Sequence, residues 1–233
     1  MTVTDRLLGP LLRQPSRPLI THYDDAYGSR IELSVATTAN WAAKTANWLT
    51  YECDVEPGAD VAVRLPAHWQ TVGVLLGAWW CGARVTDETD GAAVAFVPPD
   101  TPAPKADITA IVALDPLGRG LSKPAPTNAY DFLAEVHSQG DTYQPEPISR
   151  DSKAFQDSTV DELISEALSR AEALGITPGA RVLSTMAWTY PDGILTGLLA
   201  VLAGQASLVQ TDPVDAAKLT ARQQAERTTI TLA

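Results

Sequence analysis

Apolar and polar residues alternate along this chain in blocks whose period switches between helical and extended. Near the amino terminus Leu7, Leu8, Leu11 and Leu12 share one helical face behind Thr4 as N-cap, and Pro15 and Pro18 end the helix. Residues 19–23 and 30–33 then read as two short strands joined by a turn-rich loop that ends near Gly28, a hairpin signature. A helix is expected over 34–51, capped at Ser34 or Thr38, with Trp41, Thr45 and Trp48 on one face. Pro57-Gly58 closes the next loop. A buried strand follows at 61–65, an apolar helix over 72–81 stopped by Gly82, and a further strand from Ala83. Helix, strand, helix, strand is the grammar of a parallel α/β sheet.

Residues 87–157 have a different texture. The apolar runs 92–97 and 108–114 read as strands among loops rich in Pro, Gly and Asp. The stretch 116–157 holds Pro124, Pro126, Pro145 and Pro147 and one helical pattern, 129–138, and reads as a linker or crossover. The pattern then repeats. Val55-Glu-Pro-Gly-Ala-Asp-Val is answered by Ile176-Thr-Pro-Gly-Ala-Arg-Val, and Gly73-Val-Leu-Leu-Gly77 by Gly193-Ile-Leu-Thr-Gly197. Gly82-Ala-Arg-Val is answered by Gly204-Gln-Ala-Ser-Leu-Val, all at an offset of about 121 residues. Each copy is a helix, a Pro-Gly turn, a strand, an apolar helix, a glycine stop and a strand. The expected organisation is a first α/β subdomain at 1–115, a linker at 116–157 and a second subdomain at 158–233. The sheets are expected to be mainly parallel, built from two pseudo-repeated βαβ-type units.

Composition narrows the function. At 233 residues with 45% hydrophobic residues the chain can bury a core without staples, and 17 basic against 28 acidic residues leave a net charge of −11. So acidic a surface repels phosphate backbones and anionic lipid, so neither nucleic acid nor a membrane is an expected partner. The uncharged run 193–209 falls short of the ~20 residues of a span and is broken by Gly204-Gln205. No signal-peptide pattern opens the chain, and Cys53 and Cys81 have neither CxxC nor zinc spacing, so two reduced thiols in a cytoplasmic protein are expected. His22, His68 and His137 are scattered, with no metal-ligand spacing. Gly118-Arg-Gly-Leu-Ser-Lys123 lacks the Gly-Lys-Ser/Thr of a phosphate loop, is followed by Pro124 rather than a helix, and reads as a turn, and Asp87, Glu88 and Asp90 read as a solvated acidic loop.

The residues Thr21-His-Tyr23, Ala42 through Leu49, Val55-Glu-Pro-Gly-Ala-Asp-Val-Ala62 and Leu76-Gly-Ala-Trp-Trp-Cys-Gly-Ala83 resemble the amino-terminal domain of the adenylate-forming (AMP-binding, acyl-CoA-ligase-like) enzymes. The second copy, from Glu162 through Val182 to Val209, with a final helix near 215–219 and a strand at 229–232, is similar to that family's second subdomain. The resemblance implies two sheets like subdomains A and B of those enzymes. It also defines departures. Where the family carries a Ser/Thr/Gly-rich loop ending in Pro-Lys-Gly that wraps ATP phosphates, this chain has Lys153-Ala-Phe-Gln-Asp-Ser-Thr-Val160, without a glycine. The family's Tyr-Gly-x-Thr-Glu segment, ribose-binding aspartate and catalytic lysine have no counterpart in these 233 residues. Little is then left to stabilise the charge of an adenylation transition state.

The resemblance implies that Trp188, Tyr190 and Asp192 stand where the family lines its acyl or aryl pocket, and they are the candidate pocket residues. Trp41, Trp48, Trp79 and Trp80 are the candidate interface, on the argument that surface covered in a larger enzyme is open here. No catalytic residue and no metal ligand is expected. The expected function is that of a non-catalytic relative acting as a binding or interaction module, as a homodimer or with a protein partner. The alternative is a partner-completed component that binds a small carboxylic acid, ATP or AMP, or coenzyme A; outside that alternative no cofactor is expected.

Overall fold

The computed structural model describes residues 1–233, which divide into two compact units. The first comprises residues 1–6, 39–65 and 70–163, and the second residues 7–38, 66–69 and 164–233. In chain order the elements are α1 (Val3–Leu11), β1 (Pro18–Asp24), β2 (Ser29–Ser34), α2 (Val35–Tyr51), β3 (Asp60–Val63), α3 (Trp69–Trp80), β4 (Arg84–Thr86), β5 (Val94–Val97), β6 (Ile108–Ile111), β7 (Ala129–Asp131), α4 (Phe132–His137), β8 (Lys153–Phe155), β9 (Ser158–Thr159), α5 (Val160–Ala173) and β10 (Arg181–Ser184). A continuous helix follows: α6 (Asp192–Ile194), a π-helical turn (Leu195–Leu199) and α7 (Ala200–Ala203). After it come β11 (Ser207–Thr211), a 3-10 turn (Ala216–Lys218), α8 (Leu219–Glu226) and β12 (Ile230–Leu232). No helix is long and apolar enough to cross a membrane.

The first unit holds a seven-stranded sheet ordered β7-β6-β5-β3-β4-β8-β9, parallel except for the β8–β9 hairpin. The second holds a five-stranded sheet ordered β12-β10-β11-β1-β2, parallel except for the β1–β2 hairpin. Strands with helices on their crossovers carry continuous apolar runs; Val94–Val97 is buried throughout. Two helices of the first unit meet through glycine. A Cβ on Gly77 of α3 would lie 2.4 Å from the Thr45 Cβ of α2, and one on Gly73 would lie 3.1 Å from the Trp41 Cβ.

The repeat seen in the sequence extends to individual hydrogen bonds. The Gly58 N–H donates to the Gly82 carbonyl (2.9 Å) and the Gly179 N–H to the Gln205 carbonyl (3.2 Å). Arg84 N–H to Ala59 O (2.9 Å) is answered by Ser207 N–H to Ala180 O (3.0 Å), and Ala93 N–H to Asp60 O by Thr229 N–H to Arg181 O, both 2.9 Å. Gly58 and Gly179 take φ of +89° and +92°, a left-handed conformation that favours glycine and explains the repeated Pro-Gly.

The division of the chain departs from the boundaries expected at 115 and 157. The β1–β2 hairpin joins the second unit's sheet beside β11, and the β8–β9 hairpin joins the first unit's sheet beside β4. Each hairpin leads through a helix, α2 or α5, to a strand of the other sheet, β3 or β10. The repeats therefore exchange their opening hairpins. The stretch 116–157 is not merely a linker, since β7, α4 and β8 all belong to the first unit. These strands are three residues long and set among prolines, too short for a period-2 signal. The expected helix over 129–138 begins as strand β7, and Asp131 is the N-cap of α4.

Candidate functional site

The loop that carries the candidate pocket residues leaves the carboxyl end of β10, the edge at which open α/β sheets usually bind ligands. Side chains and backbone pin it. Ser184 Oγ accepts the Met186 N–H (3.2 Å), the Thr185 N–H donates to Leu232 O (3.0 Å), and Gln210 Nε2 on β11 donates to Met186 O (3.1 Å). The Gly193 N–H then closes on Thr189 O at 2.9 Å to start the helix. Gly193 is required there, because a Cβ would lie 2.3 Å from Ala187 O.

The three residues take different environments. Trp188 is 5% exposed and lies over Gly197, where an added Cβ would come within 3.0 Å of the indole nitrogen; that N–H is buried without a hydrogen-bond partner. Tyr190 is half-buried. Asp192 is exposed and engaged with Arg170 (2.7 Å), which also holds Glu166 (2.7 Å) and Thr196 (2.8 Å). The carboxylate thus fastens the start of the helix to α5. A cleft of about 670 Å³ in the same unit is lined by Leu168, Ile176, Thr177, Pro178 and Gly204, at the amino-terminal ends of β10 and β11. None of Trp188, Tyr190 and Asp192 lines it.

The sheet itself supplies a feature that sequence spacing did not reveal. His22 of β1, Gln210 of β11 and Ser184 of β10 stand in register, a buried polar row across three strands. The His22 ring meets His68 edge-on with centroids 4.4 Å apart, the two residues being 1% and 5% exposed. Burial pushes the His22 pKa down to about 4, against the opposing influence of Asp24 and the backbone at Ala67 and Asp212. Gln210 Oε1 beside it lacks a hydrogen-bond partner. Only strand register and the path of 66–69 bring these residues together, and neither is written in local periodicity.

The four candidate interface tryptophans do not form one open face. Trp48 and Trp79 are core residues, each 1% exposed. Trp48 packs among Phe96, Phe132 and Tyr130 with centroids 5.7 to 6.1 Å away, and Trp79 donates to Ala154 O at 2.9 Å beside Phe155. Trp41 and Trp80 are half-buried. Trp41 lies 5.5 Å from His137, and Trp80 donates to Asp5 at 3.0 Å and faces Tyr143. Residues 129–155, within the stretch 116–157 expected as a linker or crossover, supply much of this cover.

The stretch that resembles the family's phosphate-loop position is the β8–β9 hairpin. Gln156 takes its tight turn at φ +50°, donating its N–H to Val85 O (2.9 Å) and its side-chain amide to Asp87 (2.6 Å). Lys153 Nζ donates to the Asp157 carbonyl. Thr159 and Glu162 form a reciprocal capping box on α5: Glu162 Oε2 accepts the Thr159 N–H (2.8 Å) and Thr159 Oγ1 accepts the Glu162 N–H (3.2 Å). Elsewhere Asp115 ties down the Gly118–Lys123 turn, accepting from Leu117, Arg119 and the Arg119 side chain. Cys53 and Cys81 are free thiols, each pushed up to about 12 by burial. No group of three or more His, Cys, Asp or Glu side chains is arranged to hold a metal ion.

Comparison with solved structures places this architecture. The acyl-CoA synthetase of Brucella canis superposes with a TM-score of 0.81 at 14% identity, over 99% of this chain and 47% of that one. The acetoacetyl-CoA synthetase of Streptomyces lividans gives 0.75 at 15% identity, over 97% and 41%. The amino-terminal domain of FACL13 from Mycobacterium tuberculosis gives 0.71 at 16% identity, over 100% and 62%. The chain thus spans about half the length of these synthetases. At such identities the likeness shows the fold, that of the amino-terminal part of the adenylate-forming enzymes, as the sequence resemblance implied. No protein-family model matches the chain. A protein of Mycobacterium tuberculosis (strain ATCC 25618 / H37Rv) named TIGR03089 family protein is 40% identical over 238 residues, covering 98% of this chain and 97% of that protein. With nearly the whole of both sequences aligned at that identity, this chain belongs to the TIGR03089 family, built on the adenylate-forming fold.

Proposed function

We propose that this chain is a non-catalytic member of the adenylate-forming fold that works as a binding or interaction module. The observation that carries the reading is the β8–β9 hairpin with its capping box. A phosphate site at a helix amino terminus needs unpaired N–H groups and a positive end. At α5 the Glu162 carboxylate holds the Thr159 N–H, Thr159 holds that of Glu162, and Asp161, paired with Arg6, also stands in the first turn. An incoming polyphosphate meets carboxylates there. Gln156, the turn residue, is itself tied to Val85 and Asp87.

The second reading, a partner-completed component that binds a small carboxylic acid, a nucleotide or coenzyme A, draws support from the buried, unpartnered Trp188 N–H and Gln210 Oε1 near the loop after β10. A thermal-shift series separates the two readings, because a ligand that binds only the folded state raises the midpoint. The probes are ATP with magnesium, AMP, coenzyme A and a panel of carboxylic acids. The module reading predicts no shift with ATP or AMP, and a clear shift with either overturns it. Shifts with acids or coenzyme A alone support the second reading.

A further inference from the structure

The outer edge of the five-stranded sheet is an open strand. β2 pairs with β1 on one side and has no strand on the other. No turn or loop backbone–backbone hydrogen bond involves residues 29–34, and only at the strand's end does the Ser34 carbonyl accept a side chain, Thr38 Oγ1 at 2.9 Å. Natural sheets usually blunt such an edge with proline, lysine, a bulge or a cover, because unpaired N–H and C=O groups template pairing with another chain. β2, Ser-Arg-Ile-Glu-Leu-Ser, has neither proline nor lysine, its charged side chains are one of each sign, Arg30 and Glu32, and the one register shift of the hairpin lies at its far end, between Pro18 and Ile20 of β1.

The charges on this edge are self-complementary. Arg30 and Glu32 lie two residues apart on one sheet face, both exposed, with Ile31 between them on the other. Around them stand Arg181, Glu226 and Tyr23, so positive and negative groups already alternate across that face. Two antiparallel copies of β2 related by a two-fold axis at Ile31 place Arg30 of each copy directly opposite Glu32 of the other. An axis at Arg30 would oppose two arginines, and an axis at Glu32 two glutamates. Opposite charges in directly opposed positions stabilise a strand pair and like charges destabilise it, so the charges select the Ile31 register.

We infer that this edge binds a second copy of the chain, joining two five-stranded sheets into one continuous sheet through an isologous β2–β2 pair. The inference builds on the interaction-module reading by naming the partner and the surface. It also moves the partner surface away from the tryptophans, two of which the core consumes.

Analytical ultracentrifugation of the full chain across a wide concentration series, together with an Ile31→Cys variant, tests it. In the Ile31-centred pair the two Cβ atoms at position 31 face each other within reach of a disulfide. Mild oxidation should therefore convert Ile31→Cys to a covalent dimer on a non-reducing gel. The wild type, with only Cys53 and Cys81, should not cross-link. Tyr27→Cys, exposed in the turn, should not either, since its two copies would sit about 26 Å apart along the pair. Ile31→Asp, which opposes two carboxylates at the axis, should sediment as a monomer with the wild-type circular dichroism spectrum. A wild type that stays monomeric at every concentration, a dimer that survives Ile31→Asp, or Ile31→Cys that does not cross-link would each overturn the proposal. Nucleotide binding would sink the non-catalytic reading and leave this dimer standing, so the two failures are separate.

Discussion

At the residue scale the sharpest expectation concerns His22. Its pKa is about 4 in the fold and ordinarily 6.5, so the unfolded chain takes up a proton that the folded chain refuses. Stability is therefore full above about pH 6.5 and falls as pH drops towards 4, by roughly 3 kcal/mol from this group. Denaturant titrations at pH 7 and pH 4.5 should show that loss, and His22→Leu should remove much of it. Packing gives a second expectation. Gly77→Ala drives a Cβ to 2.4 Å from the Thr45 Cβ and 2.9 Å from Ala42 O, and should cost about 1–3 kcal/mol in chemical denaturation. Residues at this scale were unevenly legible. The Gly-xxx-Gly spacing marked both apolar helices, yet the sequence did not separate Trp48 and Trp79, which the core takes, from Trp41 and Trp80, which it half covers. That distinction depends on what packs over α2 and α3, and the cover comes from short pieces of 129–155 that carry no pattern of their own.

At the scale of elements, the strands and helices of each Pro-Gly unit were readable because period, turn chemistry and repetition agree. The hairpins were not read as equivalent. β1–β2 has seven and six residues with a turn ending at Gly28, whereas β8–β9 has three and two and turns on Gln156 with φ +50°. A non-glycine residue at positive φ hides such a turn from sequence. The capping box that follows is a separable prediction. Thr159→Ala removes the acceptor for the Glu162 N–H and should destabilise the protein by about 1 kcal/mol in thermal denaturation, with Thr159→Ser close to wild type. A second lock joins α8 to the β1–β2 turn. Arg222 is 7% exposed, donates to Asp25 (2.8 Å) and Thr211 (3.1 Å), and lies over the Tyr23 ring at 3.9 Å. Hydrogen bonds from Arg222 lower the Asp25 pKa to about 2. Arg222→Met leaves Asp25 buried without its main partner, and a loss of about 3 kcal/mol is expected in denaturant titration.

At the scale of the molecule, the exchange of hairpins decides which pieces of the chain can stand alone. A fragment of residues 164–233 keeps β10, β11 and β12 but lacks the two strands that complete its sheet, so it should give a disordered circular dichroism spectrum. Joining residues 7–38 to 164–233 through a flexible linker should restore the five strands and a cooperative thermal transition. A folded 164–233 fragment would show that the hairpin adds little. The same exchange sets an order of events on the ribosome. β1 and β2 are made first, yet β11, the strand beside β1, ends at Thr211. At roughly 5–20 residues per second the nascent hairpin waits on the order of ten to forty seconds with both edges unpaired. Over that interval it is bait for chaperones and for neighbouring chains, and the speed of translation through residues 35–206 becomes part of how this protein reaches its fold.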